Sequence, residues 1–173
     1  MTDYRTAISA ELQKMEEDML YTEKAHFVAA EELKRVHLCI GLIATVSAAA
    51  SVTSIVASGP QVISGTLALI AALASATLTF VKPDEKAAQH LVAARTLGAV
   101  RVKARQHREI DLHPQRPEDV TAWRRYVEQI GEAKSEVDGA APSLSERRFR
   151  KGRAKIGAGH FSHDSVKLTN SDG

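Results

Sequence analysis

The sequence predicts an all-α protein, with a two-helix transmembrane hairpin, long cytoplasmic helical extensions and one additional cytoplasmic helix. Three observations lead to this prediction. The 46 residues from Val36 to Val81 contain no Asp, Glu, Lys or Arg, whereas charged residues are dense on both sides. Gly59 and Pro60 lie near the middle of this uncharged segment. Apolar residues recur at three- and four-residue steps in the flanking regions, which is the period of an amphipathic helix.

The uncharged segment is long enough to cross a bilayer twice. One helical span needs about 20 mostly apolar residues, and residues 36–57 and 61–81 each provide that length. A glycine can supply the left-handed residue that ends one helix, and a proline suits the first turn of the next. We therefore expect a hairpin over residues 36–81 that turns at Gly59 and Pro60. The alternative, a soluble bundle with the hairpin as its buried core, is disfavoured by the length of the segment.

Positive charges predict the orientation of this hairpin. Lysine and arginine flank its two open ends at Lys34, Arg35, Lys82 and Lys86, while the turn carries no charge. Cytoplasmic loops of membrane proteins are enriched in these residues. Both termini are therefore expected in the cytoplasm.

The regions on either side of the hairpin are predicted to be helical. Residues 1–35 contain no Gly or Pro, so one cytoplasmic helix should run directly into the first span. Residues 82–142 should form a helical stem and a third helix. Pro83 should kink the second rod or start a new helix, His113 precedes a proline that ends the stem, and the third helix should begin at Pro117.

The two helical regions that flank the hairpin, here called the stems, differ in net charge. Residues 1–35 carry eight acids and five bases, whereas residues 82–110 carry seven bases and three acids. Opposite net charges favour antiparallel pairing of the stems within or between subunits. The alternative is two independently solvated faces.

The last region, residues 143–173, is expected to be a basic and weakly ordered tail, because it is poor in large apolar residues. Its basic cluster is expected to contact anionic lipid or an anionic ligand such as a nucleotide, and the lack of a Gly-rich loop favours lipid. The cluster consists of Arg147, Arg148, Arg150, Lys151, Arg153 and Lys155.

The predicted spans contain many small and hydroxyl-bearing residues, which allow close packing of helices and assembly into a homo-oligomer. A water-filled pore is a further interpretation, since a helix that touched only lipid would carry more Leu, Ile and Phe. Alternatively, each hydroxyl bonds a backbone carbonyl one turn back. An intramembrane charge, the usual mark of coupled transporters, is missing. The candidate pore-lining residues are Ser47, Ser51, Ser54, Ser75 and Thr79.

Two histidines are predicted to meet if the chain turns at Gly59 and Pro60. His26 then lies opposite Ala93, within about one turn of His90. Together with Tyr21, they are candidates for polar contacts between helices. A metal site is not expected, since no third and fourth ligand is evident. The sequence has no catalytic constellation, so we expect neither an enzyme nor a cofactor, and the net charge of +2 gives no reason to expect nucleic-acid binding.

The segments that adjoin the spans resemble those of SLATT-domain proteins. The resemblance covers about residues 15–140 and rests on architecture together with the tyrosine, histidine and phenylalanine positions. It includes Tyr21-Thr-Glu-Lys-Ala-His-Phe27 before the first span, Lys82-Pro-Asp-Glu-Lys-Ala-Ala-Gln-His90 after the second, and Arg108-Glu-Ile-Asp-Leu112 at the end of the stem.

This resemblance implies a pore-forming effector of a bacterial anti-phage defence system. Such an effector, triggered by a nucleotide second messenger or a partner protein, permeabilises the inner membrane and kills or arrests the infected cell. The expected partners are thus the lipid bilayer, further copies of the chain, and a cyclic oligonucleotide or a nucleotide-signalling protein. The alternative function is a non-conducting, membrane-anchored helical scaffold that recruits a partner.

Overall fold

The computed structural model describes residues 4–158, and every regular element in that range is a helix. The predicted all-α class is therefore confirmed for this part of the chain. Two of the helices are long and apolar enough to cross a membrane. In chain order the elements are α1 (Tyr4–Val56), α2 (Gln61–Val81), α3 (Pro83–Gln106), a π-helical segment (His107–Asp111), α4 (Val120–Ala140) and α5 (Glu146–Gly157).

The helices belong to two compact units. The hairpin unit contains Ala29–Gln89, and the stem unit contains the described residues of Met1–Val28 and His90–Gly173. Helix α1 contributes residues to both units, whereas α4 and α5 lie entirely in the stem unit.

In the hairpin unit, the chain reverses between α1 and α2 at the predicted place. The residue with left-handed backbone is Ser58, with φ of 55°, and not Gly59 as the sequence suggested. Gly59 has a different role, since its N–H donates to the Ser54 carbonyl at 2.8 Å. A β-carbon on Gly59 would lie 2.7 Å from the Ser54 Oγ atom, which is too close for any side chain. The turn therefore needs glycine for space.

The end of the hairpin is marked by a second left-handed residue. Lys82 has φ of 46°, and its N–H donates to the Leu78 carbonyl at 3.1 Å, which closes α2. Helix α3 then begins at Pro83, followed by Asp84 and Glu85 in its first turn. Of the two outcomes predicted for Pro83, a kink or a new helix, the structure has the new helix.

The stem unit is built on an apolar core that α1, α3 and α4 share. Leu12, Met19 and Leu97 are fully buried, and α4 contributes Trp123 and Ile130. Helix α4 begins at Val120, three residues later than predicted, because the Asp119 carboxylate accepts a hydrogen bond from the Ala122 N–H at 2.9 Å. An aspartate at this position satisfies a backbone donor that the helix itself cannot.

Ion pairs join the acidic part of α1 to the basic helix α3. The Arg101 Nε atom donates to Glu23 Oε2 at 3.0 Å, and Glu23 is only 5% exposed. Arg108 pairs with Glu16 at 3.1 Å. The predicted antiparallel pairing of an acidic and a basic stem is thus confirmed within one chain. Glu23 also receives a contact from Lys24 at 2.8 Å, so its buried charge is surrounded by cations, as a buried carboxylate requires.

Part of the segment expected to be weakly ordered, Glu146–Gly157, forms α5. The helix packs on α1, where Gly152 is buried against the backbone of Ala25. Residues 159–173 of the predicted tail lie outside the described range.

Replacement of Leu97 by alanine tests the stem core. Leu97 is fully buried, so its loss should lower the free energy of unfolding by about 3 kcal/mol through lost apolar burial and a residual cavity. The measurement is the thermal unfolding temperature of the purified protein in detergent. Val102→Ala is the matched control on the same helix, because Val102 is 37% exposed. Equal destabilisation by both substitutions would contradict this core assignment.

Candidate functional site

A cleft with both polar and apolar walls lies beside the turn of the hairpin unit. Its volume is about 530 Å³, and α1, the turn and α2 all contribute to its walls. Hydroxyl and amide groups are concentrated there, although the helices around them are apolar. The lining residues are Ser51, Ile55, Ser58, Gly59, Gln61, Ser64, Gly65 and Ala68.

Serine hydroxyls hold the two helices together at this cleft. The Ser51 Oγ–H donates to the Ser64 carbonyl at 2.8 Å, and the Ser64 Oγ–H donates to Ser54 Oγ at 2.9 Å. Ser51 and Ser64 are each 5% exposed. In the single chain the hydroxyl of Ser51, a predicted pore-lining residue, is thus bonded to the neighbouring helix. Ser54 belongs to the same network, so its hydroxyl also contributes to the interface.

Threonines behave differently from these serines. Each of five threonine hydroxyls in the hairpin unit donates to the backbone carbonyl four residues earlier, which is the alternative that the sequence left open. One of them is the predicted pore-lining Thr79, whose Oγ1–H donates to the Ser75 carbonyl at 3.0 Å. The others are Thr45, Thr53, Thr66 and Thr77.

The remaining pore-lining candidates lie nearer the surface of the hairpin unit. Ser75 and Thr79 are exposed, and Ser47 is half-buried. Ser75 also lines a shallow groove of about 460 Å³ between α1 and α2, whose other walls are the small side chains of Ala44, Thr45, Ala48, Ala71 and Ala72. The structure thus divides the five candidates between the interface of the hairpin and its outer surface.

The stem unit contains a buried pair of histidines. Helices α1 and α3 bring His26 and His90 together, with their Nδ1 atoms 2.8 Å apart. Both side chains are buried, at 2% and 3% exposure. In a hydrogen bond between two neutral rings, one Nδ1 carries a proton and the other accepts it. Among residues 4–158, no group of three or more His, Cys, Asp and Glu side chains could hold a metal ion.

Burial keeps these histidines neutral. It lowers the pKa of His26 to about 4, with a smaller contribution from His90 and an opposing one from Asp138. Burial also lowers the pKa of His90, and the positive charge of Arg148 on α5 adds to this effect. A neutral pair can make the hydrogen bond, whereas two protonated rings would both be donors and would repel each other.

Helix α5 packs directly on α1 beside the histidine pair. A β-carbon on Gly152 would lie 2.9 Å from the Ala25 nitrogen and 3.1 Å from its Cα atom, so only glycine permits this approach. Ala25 immediately precedes His26. The third predicted interhelical residue, Tyr21, lies on the same side, because the Arg153 guanidinium is 5.7 Å from the centre of its ring.

The six bases of the predicted cluster all belong to α5. Arg148 is half-buried and influences His90. The other five are exposed, namely Arg147, Arg150, Lys151, Arg153 and Lys155.

Sequence reasoning missed three residues that organise these sites. Ser64 accepts and donates at the centre of the hairpin network, Glu23 is the buried partner of Arg101, and Gly152 is the contact point of α5. A glycine within a run of bases was a signal for close backbone approach. The other two gave no signal in the sequence, because their roles depend on the rotation of α1 and α2 about their axes.

The chain matches no protein-family model, no curated protein and no solved structure.

Acidification should destabilise the stem unit through the histidine pair. Because the pKa of His26 is about 4 in the folded chain and 6.5 in an ordinary environment, the unfolded chain binds more protons between these values. The free energy of unfolding should therefore fall as the pH drops from about 6.5 towards 4. The double substitution His26→Gln with His90→Gln should flatten this dependence, measured as unfolding temperature against pH in detergent. The exposed His113→Gln is the control, and an unchanged slope in the double variant would refute the assignment.

Substitution of Gly152 by leucine should displace α5 from α1. The new side chain would overlap the backbone of Ala25, which cannot move aside as a side chain could. We expect trypsin to cut after the bases of α5 at least several times faster than in the parent protein. Gly157→Leu is the matched control on the same helix, because a β-carbon there meets nothing within 4 Å. Equal cleavage rates in the two variants would show that Gly152 does not seat the helix.

Proposed function

We propose that the chain is a multi-pass protein of the bacterial inner membrane, with both termini in the cytoplasm, whose hairpins assemble into a pore. The proposed membrane location is supported by the exposure of the two apolar helices. Only 11% and 17% of their most apolar stretches are buried within the chain, whereas the core helix of a soluble protein is mostly buried. Large apolar side chains that face outward include those of Leu38, Val46, Val52, Ile55, Val62, Leu69, Leu73 and Phe80.

The cleft beside the turn is the observation that supports a pore. An anchor needs only apolar side chains towards lipid, since a polar group in the hydrocarbon core is costly unless it is bonded. This hairpin instead places two exposed polar residues, Ser58 and Gln61, beside an open space of about 530 Å³. Polar groups around a space of this size can be hydrated, and hydration of the membrane interior is what conduction requires.

Assembly into an oligomer is supported by the second groove. Ala44, Ala48 and Ala72 leave room for a neighbouring helix to approach closely, which is how helices associate in membranes without a hydrophobic driving force. Ser75 lies at this groove and is exposed in the single chain. In the proposed oligomer, Ser75 and Thr79 face either the neighbouring hairpin or the conducting path.

The proposed trigger follows from the resemblance to SLATT-domain proteins. A nucleotide second messenger or a partner protein would act on the stem unit, and the opened pore would permeabilise the membrane of a phage-infected cell. The proposal includes no catalytic step and no cofactor.

The second candidate function is a non-conducting, membrane-anchored scaffold that recruits a partner. The threonines favour it, because five hydroxyls of the hairpin unit are already bonded to their own helix backbone. Hydroxyls that are satisfied in this way are compatible with lipid and need no water.

Dye leakage from liposomes distinguishes the two functions. The purified protein is reconstituted, and insertion is verified by resistance to an alkaline wash. Leakage is then measured with and without a panel of cyclic oligonucleotides. Leakage that depends on one nucleotide supports a directly gated pore, and constitutive leakage supports a pore controlled by a partner protein. An inserted protein that never leaks dye, alone or with any nucleotide, would favour the scaffold.

Ser75→Leu should reduce the rate of dye leakage several-fold while insertion is unchanged. A bulky apolar side chain would fill the groove that Ser75 lines and would remove a hydroxyl from the exposed surface. Thr77→Leu is the matched control, because Thr77 is also exposed on α2 but points about 160° away from Ser75 at 100° per residue. If the two variants leak equally, this face of α2 neither packs in the oligomer nor lines its pore.

A further inference from the structure

Helix α5 is amphipathic, with an apolar side that packs on α1 and a basic side that faces away from it. Phe149 and Ile156 are half-buried and Gly152 is buried, so these three positions define the inward side. The helix carries five exposed bases, and Glu146 is its only acidic residue. The exposed bases are Arg147, Arg150, Lys151, Arg153 and Lys155.

The rotation of α5 about its own axis is fixed by its packing on α1. Gly152 permits an approach to the Ala25 backbone that no other residue would allow. The Arg153 guanidinium lies 5.7 Å from the centre of the Tyr21 ring, which is a second contact between α5 and α1. The exposed Arg147 and Arg150 therefore face away from α1, whereas Arg153 lies at the edge beside Tyr21 and Arg148 is half-buried.

This surface fits an anionic partner with many phosphates. A guanidinium group pairs with phosphate through two parallel hydrogen bonds, and clustered Lys and Arg residues near a membrane bind anionic lipid electrostatically. A chain that spans a bilayer always has such a surface available.

We propose that the outward face of α5 binds the anionic phospholipid headgroups of the membrane in which the chain is inserted. This inference rests on the proposed membrane location and not on pore formation. Helix α5 is then a peripheral lipid contact of the stem unit, and its occupancy depends on the anionic lipid content and on ionic strength.

The test uses the full chain, reconstituted in two kinds of vesicle. One contains phosphatidylcholine only, and the other contains about 30% phosphatidylglycerol, a typical anionic fraction for an electrostatic lipid site. The native Cys39 is replaced by serine, and Ala154→Cys, on the exposed side of α5, carries a fluorophore. Quenching by lipids that bear a spin label on the headgroup, present in both leaflets, reports contact whichever way the protein is inserted.

We expect strong quenching only in vesicles that contain phosphatidylglycerol, and its loss in about 1 M salt, where the Debye length is about 3 Å. The double substitution of Arg147 and Arg150 by glutamine should reduce quenching towards the phosphatidylcholine level. The same two positions changed to lysine should retain most of it, since the charge is kept. Arg124→Gln with Arg125→Gln, which removes two exposed charges from α4, is the matched control and should have no effect.

Three results would overturn the proposal. Quenching that is equal in both vesicles and insensitive to salt would show contact without recognition of charge. Quenching that appears only as protein density rises would assign the surface to a second copy of the chain. Quenching that inorganic pyrophosphate abolishes at constant ionic strength in the phosphatidylglycerol vesicles would assign it to a soluble phosphate ligand. Dye leakage is recorded in the same vesicles, so lipid-dependent quenching without leakage would reject the pore and retain the lipid site.

Discussion

The constraint on which the structure depends is a run of 46 consecutive residues without an acidic or basic side chain, most of which are not buried against the described part of the chain. Helix formation satisfies the backbone of this segment internally. The side chains remain largely outward, with exposures such as 61% for Leu38 and 85% for Phe80. In the proposed membrane location, lipid surrounds these side chains. The left-handed residues Ser58 and Lys82 then follow as the places where the helices have to stop.

Buried polar groups are satisfied by different kinds of partner in the two units. In the hairpin unit, the Ser51 hydroxyl donates to the Ser64 carbonyl and so joins the two helices by a hydrogen bond. In the stem unit, the buried group is the carboxylate of Glu23, which is stabilised by ion pairs with Arg101 and Lys24. Loss of Arg101 would leave the carboxylate buried with less compensation, and such losses commonly cost about 3 to 5 kcal/mol. The same carboxylate lies 3.4 Å from where a β-carbon on Gly98 would be. The stems therefore meet closely at this pair.

The sequence was most informative where one property determined the outcome. Missing charges marked Val36–Val81, and the Gly59-Pro60 pair marked the turn within a residue. The rotation of each helix about its axis was harder to predict. Hydroxyls occur on all sides of the predicted spans, so their spacing could not show that Ser51 faces α2. Helix α5 was missed for another reason. Its order comes from contact between Gly152 and Ala25, which are far apart in the sequence, and composition reports only local tendencies.

The histidine pair and the packing of α5 on α1 are energetically coupled rather than independent. Gly152 lies against the residue that precedes His26, and Arg148 of the same helix lowers the pKa of His90. Displacement of α5 would remove a nearby positive charge and admit water, and both changes would bring the pKa of His90 back towards its ordinary value. Protonation of the pair would in turn add a positive charge next to a helix that already carries six bases. Substitutions at these two places should therefore not be additive, as is usual for residues that share partners. An anionic ligand bound to the bases of α5 would weaken this electrostatic repulsion, so it would raise the pKa of His90 and favour protonation of the pair.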